Sequence, residues 1–236
     1  RALDTSGDIG GTLVQYIILL DHKDAGPLTN TNLDTYDSGQ DADVQFTVAS
    51  GNLTVSDGSG IVIAQTRTFA PGGTVTTSPS ANPVIFDGDL IVDDNSTLSM
   101  GANALSVGGD FFVETGATYS YSAGQTTTFT ATGSGHSIDD GTSNFDNLVF
   151  NGTGGGWGLV TDMTLAGDLT RTAGAIGSSV NVTVNGGDVT GNGIILFTGG
   201  TLLVDGTGNF GSAASNWAFY NLTFGDGTGA ATTTLM

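Results

Sequence analysis

Twenty-two aspartates and one glutamate, Glu114, carry nearly all of the ionisable chemistry in this 236-residue chain. Three aspartate pairs have a spacing that could matter: Asp87 with Asp89, Asp93 with Asp94, and Asp139 with Asp140. Glycoside hydrolysis needs two carboxyl groups about 5–10 Å apart, one of them held protonated. The i, i+2 pair Asp87 and Asp89 would share one face of a strand. Short acidic side chains between strands also cap turns, and that reading covers all three pairs. Lyase chemistry on an acidic sugar would need clustered cations. The chain has only Arg1, Lys23, Arg67 and Arg171, widely scattered. The two histidines, His22 and His136, lie in polar turns, and no Gly-x-Ser-x-Gly elbow is present. The expectation is a protein without a catalytic site; a polysaccharide-active enzyme ranks third among the functional readings.

Calcium is the ligand this acid content suits best, because carboxylate oxygens match a hard cation. The segments that could hold it are Asp34–Asp43, with Asp34, Asp37, Asp41 and Asp43; Asp87–Asp94, with Asp87, Asp89, Asp93 and Asp94; and Ser137–Asp146, with Asp139 and Asp140. None follows the EF-hand loop or the tandem calcium nonapeptide. A solvated acidic surface explains the same residues, and no other cofactor is expected.

Sugar binding would use aromatic faces. Trp157 is flanked by Gly154, Gly155, Gly156 and Gly158, which could leave its indole uncovered; Trp217 and Tyr220 come next. Both tryptophans also lie near two Phe-x-Asn-Leu-x-Phe motifs, so core positions are the competing reading. Five sequons place candidate glycosylation at Asn52, Asn95, Asn151, Asn181 and Asn221.

The elements that would position these groups are strands. One Glu and one Lys are too few for surface helices, whereas Asp and 39 Gly suit turns. A charged fraction of 11% with 38% hydrophobic residues and twelve Phe gives a folded chain rather than an acidic tail. The net charge of −19 disfavours nucleic acid and anionic surfaces. The longest apolar run, Leu13–Leu20, is far below the roughly 20 residues of a spanning helix. With no Cys, thiol chemistry and disulfides are excluded.

Residues 1–80 read as a small β-sandwich-like unit and 81–236 as a repeat region. Gly-Asp followed by an apolar residue recurs at Gly88-Asp89-Leu90, Gly109-Asp110-Phe111, Gly167-Asp168-Leu169 and Gly187-Asp188-Val189. The intervals of 21, 58 and 20 residues predict coils of about 20 residues, the middle interval standing for three. Phe145–Phe150 is echoed by Phe219–Phe224, 74 residues later. Alternation in Val180-Asn181-Val182-Thr183-Val184 turns apolar side chains one way and polar ones the other. The predicted fold is all-β: a parallel β-solenoid after the sandwich-like unit, with tandem β-sandwiches as the alternative.

The segments Phe69–Thr77, Gly88-Asp89-Leu90, Leu105–Phe111 and Phe145-x-Asn147-Leu148-x-Phe150-Asn151-Gly152 resemble very large repetitive surface proteins of environmental bacteria. The resemblance spans about residues 69–236. In that family such modules build adhesin-like β-helical stalks, so the resemblance implies an extracellular structural role and brings no catalytic residues. The resulting expectation is a subunit of a cell-surface layer, stalk or filament that binds copies of itself through strand edges. The alternative is an adhesin for glycans or surfaces.

Overall fold

A computed structural model describes residues 84–86, 88–92, 97–225 and 232–236, together with the backbones of five strands between Val44 and Thr77. Every element among the described residues is a strand. All pairings are parallel, and the chain winds as a β-solenoid of about seven turns with roughly 21 residues per coil. Short strands of β-branched and aromatic residues, cut by glycine-rich corners, cannot bury an apolar face alone. Stacking on the next coil buries it.

The coils stack into three columns. The first column runs through Asp89–Val92, Phe111–Val113, Ser134–Asp139, the second half of Asn147–Leu159, the second half of Leu169–Ser178, Gly193–Phe197 and Ser215–Ala218. The second holds Thr97–Gly101 and Thr118–Tyr121, then Met163–Leu165, Val182–Val184, Thr201–Val204 and Asn221–Phe224. The third passes through Val84–Phe86, Leu105–Val107, Thr126–Phe129, the first halves of the two long strands, Val189–Gly191, Gly208–Gly211 and Thr233–Leu235. The two long strands bend through the corner between the third and first columns, where Gly154 and Gly174 take positive φ.

Pairing continues across residue 80. Thr68–Pro71 lies beside Asp89–Val92, Thr74–Thr77 beside Thr97–Gly101, and Val62–Ile63 beside Val84–Phe86. Where the sequence suggested a sandwich-like unit over residues 1–80, the strands described there join the solenoid columns. Residues 1–43 lie outside the described residues.

Strand alternation places the core on the inner face of all three columns. Leu90, Phe111, Leu105, Leu148, Leu165, Val184, Ile195 and Leu202 are all buried. In the middle of the rod the interior is aromatic: Phe111, Tyr119, Phe129 and Phe145 form one cluster, joined through Phe129 to Phe150 and Trp157. Tyr119 places its hydroxyl 2.9 Å from Thr127 Oγ1, and Thr127 in turn donates to Gln125 Oε1 at 3.2 Å. That chain satisfies hydroxyl groups sealed from water, as burial requires. One inward position is a cation. Arg171 sits over Phe150 in register, and its guanidinium donates to Gly174 O.

The second column is interrupted between Tyr121 and Met163. There the register step in the first column lengthens to 27 residues, from Phe111 to Ile138, against 19 from Met163 to Val182. The only ladder contact left is the bridge Phe145↔Leu165. Ser143 Oγ accepts from Tyr119 N at 3.0 Å, replacing the missing strand carbonyl.

Candidate functional site

Five aspartates at the corners accept from backbone N–H groups one coil further along. At the start of the first column, Asp89 Oδ1 accepts from Asp110 N at 2.7 Å and Asp110 Oδ1 from Ser137 N at 2.9 Å. At the start of the third, Asn147 Oδ1 accepts from Asp168 N at 3.1 Å, Asp168 Oδ1 from Asp188 N at 3.1 Å and Asp188 Oδ1 from Asn209 N at 2.6 Å. At the second, Asp162 Oδ1 accepts from Asn181 N at 2.8 Å and Asn181 Oδ1 from Thr201 N at 3.1 Å. A parallel neighbour about 4.8 Å away is within reach of a two-carbon side chain, and a charged acceptor strengthens the bond. These are three Asx ladders running along the rod.

The ladders account for the glycine of the Gly-Asp signature. A Cβ on Gly109 would lie 2.1 Å from Asp89 Oδ1, and one on Gly167 would lie 2.2 Å from Asn147 Oδ1. At these two positions the glycine makes room for the side-chain oxygen of the previous coil; at Gly187-Asp188 it is Gly186 that faces Asp168 Oδ1, at 2.4 Å, while Gly187 takes positive φ. The signature therefore marks a corner rather than a fixed place in the coil. Gly88-Asp89-Leu90 and Gly109-Asp110-Phe111 stack in the first column, whereas Gly167-Asp168-Leu169 and Gly187-Asp188-Val189 stack in the third. The 58-residue interval crosses from one column to the other, which corrects its reading as three coils. The Phe145–Phe150 echo behaves alike: Asn147–Phe150 is in the third column and Asn221–Phe224 in the second.

Among the described residues, one group has metal-sized geometry: Asp89, Asp110 and His136, each offering one atom, all within 4.8 Å of one another. The register puts His136 where Gly88 and Gly109 sit in the preceding coils, at the end of the first ladder. His136 Nδ1 lies 3.2 Å from Asp110 Oδ1. Only Asp89 belongs to the calcium segments expected from the sequence. An imidazole is a poor calcium ligand, and both aspartates already accept ladder bonds, so the group does not fit the calcium site that was expected.

Asp34, Asp37, Asp41, Asp43, Asp87, Asp93 and Asp94 lie outside the described residues. Asp139 Oδ1 accepts from Gly141 N and from Thr161 Oγ1, each at 2.9 Å, while Asp140 Oδ1 lies 3.2 Å from the same hydroxyl. Asp140 is fully buried and its Oδ2 has no partner. Burial, opposed by the Thr161 bond, pushes its carboxyl up from 3.8 to about 6. A folded-state value above the unfolded one means the native state binds the proton more tightly. Stability from this group is thus present at low pH and is lost as pH rises from about 4 through 6. Asp140→Asn removes the buried charge, and at pH 8 it is expected to stabilise the protein by about 2 kcal/mol. The gain should vanish at pH 3.5 in paired urea titrations; equal stability of the two proteins at pH 8 would refute the assignment.

Trp157 is 2% exposed and packs its ring, tilted by 58°, with its centroid 5.1 Å from that of Phe150, so it is a core residue whose face no sugar can reach. Trp217 is half-buried against Phe210 at 5.3 Å, and Tyr220 is 69% exposed. Asn151, Asn181 and Asn221 are exposed, but the Asn181 and Asn221 amides donate to Asp162 Oδ2 and Gly200 O. Only the backbone of Asn52 is described, and Asn95 lies outside the described residues. No helix among the described residues is long and apolar enough to cross a membrane.

The ladder acceptors Asp110, Asp162, Asp168 and Asp188 were not singled out as site residues in the sequence. Their signal was present in the Gly-Asp spacing, but the bonds they make depend on which coil lies next. No family model, curated protein or solved structure matches the chain.

Proposed function

We propose that the chain is an extracellular structural protein whose function is the rod itself: a subunit of a cell-surface layer, stalk or filament that associates with copies of itself. The observation that carries this reading is one apolar interior running from Val84 to Phe210 through the coils whose side chains are described, tied at its corners by three ladders. Five of the 23 acids then serve to hold coil to coil. The ladder roles of Asp89, Asp110, Asp162, Asp168 and Asp188 supply a structural reason for these acids, among them Asp89, which the sequence offered for catalysis or cation binding.

Negative-stain imaging of the purified chain tests the reading, with calcium and with chelator in parallel. Regular rods or polymers, with no glycan retained on an array, are the expected result. Glycan binding lost on changing Tyr220 or Trp217 would replace it with an adhesin. Hydrolysis or lyase turnover of any polysaccharide would overturn it.

A further inference from the structure

Three consecutive coils meet at one corner of the first column in a donor set that the ladder itself does not require. Asp89, Asp110 and His136 each offer one ligand atom, and the three atoms lie within 4.8 Å of one another. The two aspartates alone belong to the ladder. His136 is the departure, because Gly88 and Gly109 hold its position in the two preceding coils. A bulge delivers it: pairing with the next coil shifts register between Ser134 and His136, across Gly135 at φ 95°. Bulges of this kind re-aim a side chain. Here the imidazole is turned onto the carboxylates, with Nδ1 3.2 Å from Asp110 Oδ1.

That separation suits two ligands of one ion. Zinc holds nitrogen and carboxylate oxygen at about 2.0–2.2 Å in a tetrahedron, which spaces neighbouring donors roughly 3.3–3.6 Å apart. The widest pair needs to close by no more than about 1.5 Å, which a turn about the broad χ2 of aspartate supplies. A carboxylate has about four acceptor sites, and a ladder bond takes one of them. An imidazole beside two carboxylates favours zinc and its transition-metal neighbours over calcium, whose ligands are all oxygen. The side chains of His136 and Asp110 are 26% and 34% exposed, so an ion reaches them from solvent.

We propose that Asp89, Asp110 and His136 bind a divalent transition ion of the zinc type, which clips three successive coils together. The clip falls on the 27-residue coil from Phe111 to Ile138, beside which the second column is interrupted. An ion that binds the folded chain and not the unfolded one adds to its stability. Zinc binding does not depend on self-association, and its absence would leave the structural reading intact.

The test is calorimetric titration of the full chain with zinc chloride, alongside urea unfolding with and without zinc. Saturable binding and a raised urea midpoint are expected. Asp110→Asn keeps an oxygen for Ser137 N, and His136→Gln changes an accessible site, so both should fold with unchanged circular dichroism. Removing a residue that only supports a metal ligand already costs roughly 10–100-fold in affinity. Each variant, which removes a ligand itself, should therefore bind zinc at least tenfold more weakly and lose the zinc-dependent midpoint shift. Asp162→Asn alters a ladder acid of the second column and should bind zinc like the parent. Zinc binding that is unchanged in His136→Gln, displaced by excess calcium, or absent in the parent would overturn the site.

Discussion

Phe145→Ala is expected to destabilise the protein by about 4 kcal/mol, near the middle of the range for a buried phenylalanine. The ring is fully buried, with centroids 5.3 Å from Phe111, 5.6 Å from Tyr119 and 6.2 Å from Phe129. Its position makes the loss worse than for a core residue on a regular strand. The second column is broken there, and the bridge to Leu165 is its only ladder contact. The ring therefore does by packing what a strand does elsewhere. Because each coil touches only its neighbours, weakening this junction should also make the urea transition shallower. Tyr220→Ala, at a 69% exposed site, should shift stability by less than about 0.5 kcal/mol. A loss below about 1.5 kcal/mol at Phe145 would contradict the packing described.

Gly109→Ala is expected to destabilise by about 3 kcal/mol, the sum of overpacking and a lost ladder bond. The added methyl would sit 2.1 Å from Asp89 Oδ1 and 2.8 Å from both Asp89 N and Gly88 C. The carboxylate could swing away, at the price of leaving Asp110 N without its acceptor. The backbone contacts would remain. Asp89→Ala in the same chain should recover only part of the loss, since it relieves the first contact alone. Gly133→Ala is the control: its nearest neighbour is His136 Nε2 at 3.9 Å, so it should be close to neutral. Equal effects at Gly109 and Gly133, read as urea midpoints, would remove the steric account of the Gly-Asp signature.

The parallel coil was legible because two physical demands write themselves into local sequence. Alternation in Val182-Thr183-Val184 is required by a strand with one wet face, and glycine with aspartate by a tight corner. The period near 20 followed from neighbouring Gly-Asp pairs in one column, such as Asp89 and Asp110. What was not legible is which corner a motif occupies. All three corners carry a short acceptor that reaches the N–H one coil further along. Asp110 and Asp168 thus look alike while belonging to different columns. Register steps from 19 to 27 residues defeat a fixed period as well. The strands from Val44 to Thr77 carry no Gly-Asp mark, and so they read as something separate. His136 shows the converse: it holds a glycine position beside two aspartates two and one coils earlier, a proximity that no linear spacing encodes. Trp157 was open between sugar platform and core, and the neighbouring Phe150 ring decides for core.

The absence of cysteine allows the stacking to be read directly. Thr183 lies in register with Leu203, and Leu203 with Thr223, all on the outer side of the second column. Adjacent coils put such Cα atoms about 4.8 Å apart, within disulfide reach, and coils two apart put them beyond it. Under mild oxidation, Thr183→Cys/Leu203→Cys should cross-link within the monomer and Thr183→Cys/Thr223→Cys should not. Failure of the first pair, or equal cross-linking of both, would mean that the coils do not stack as described.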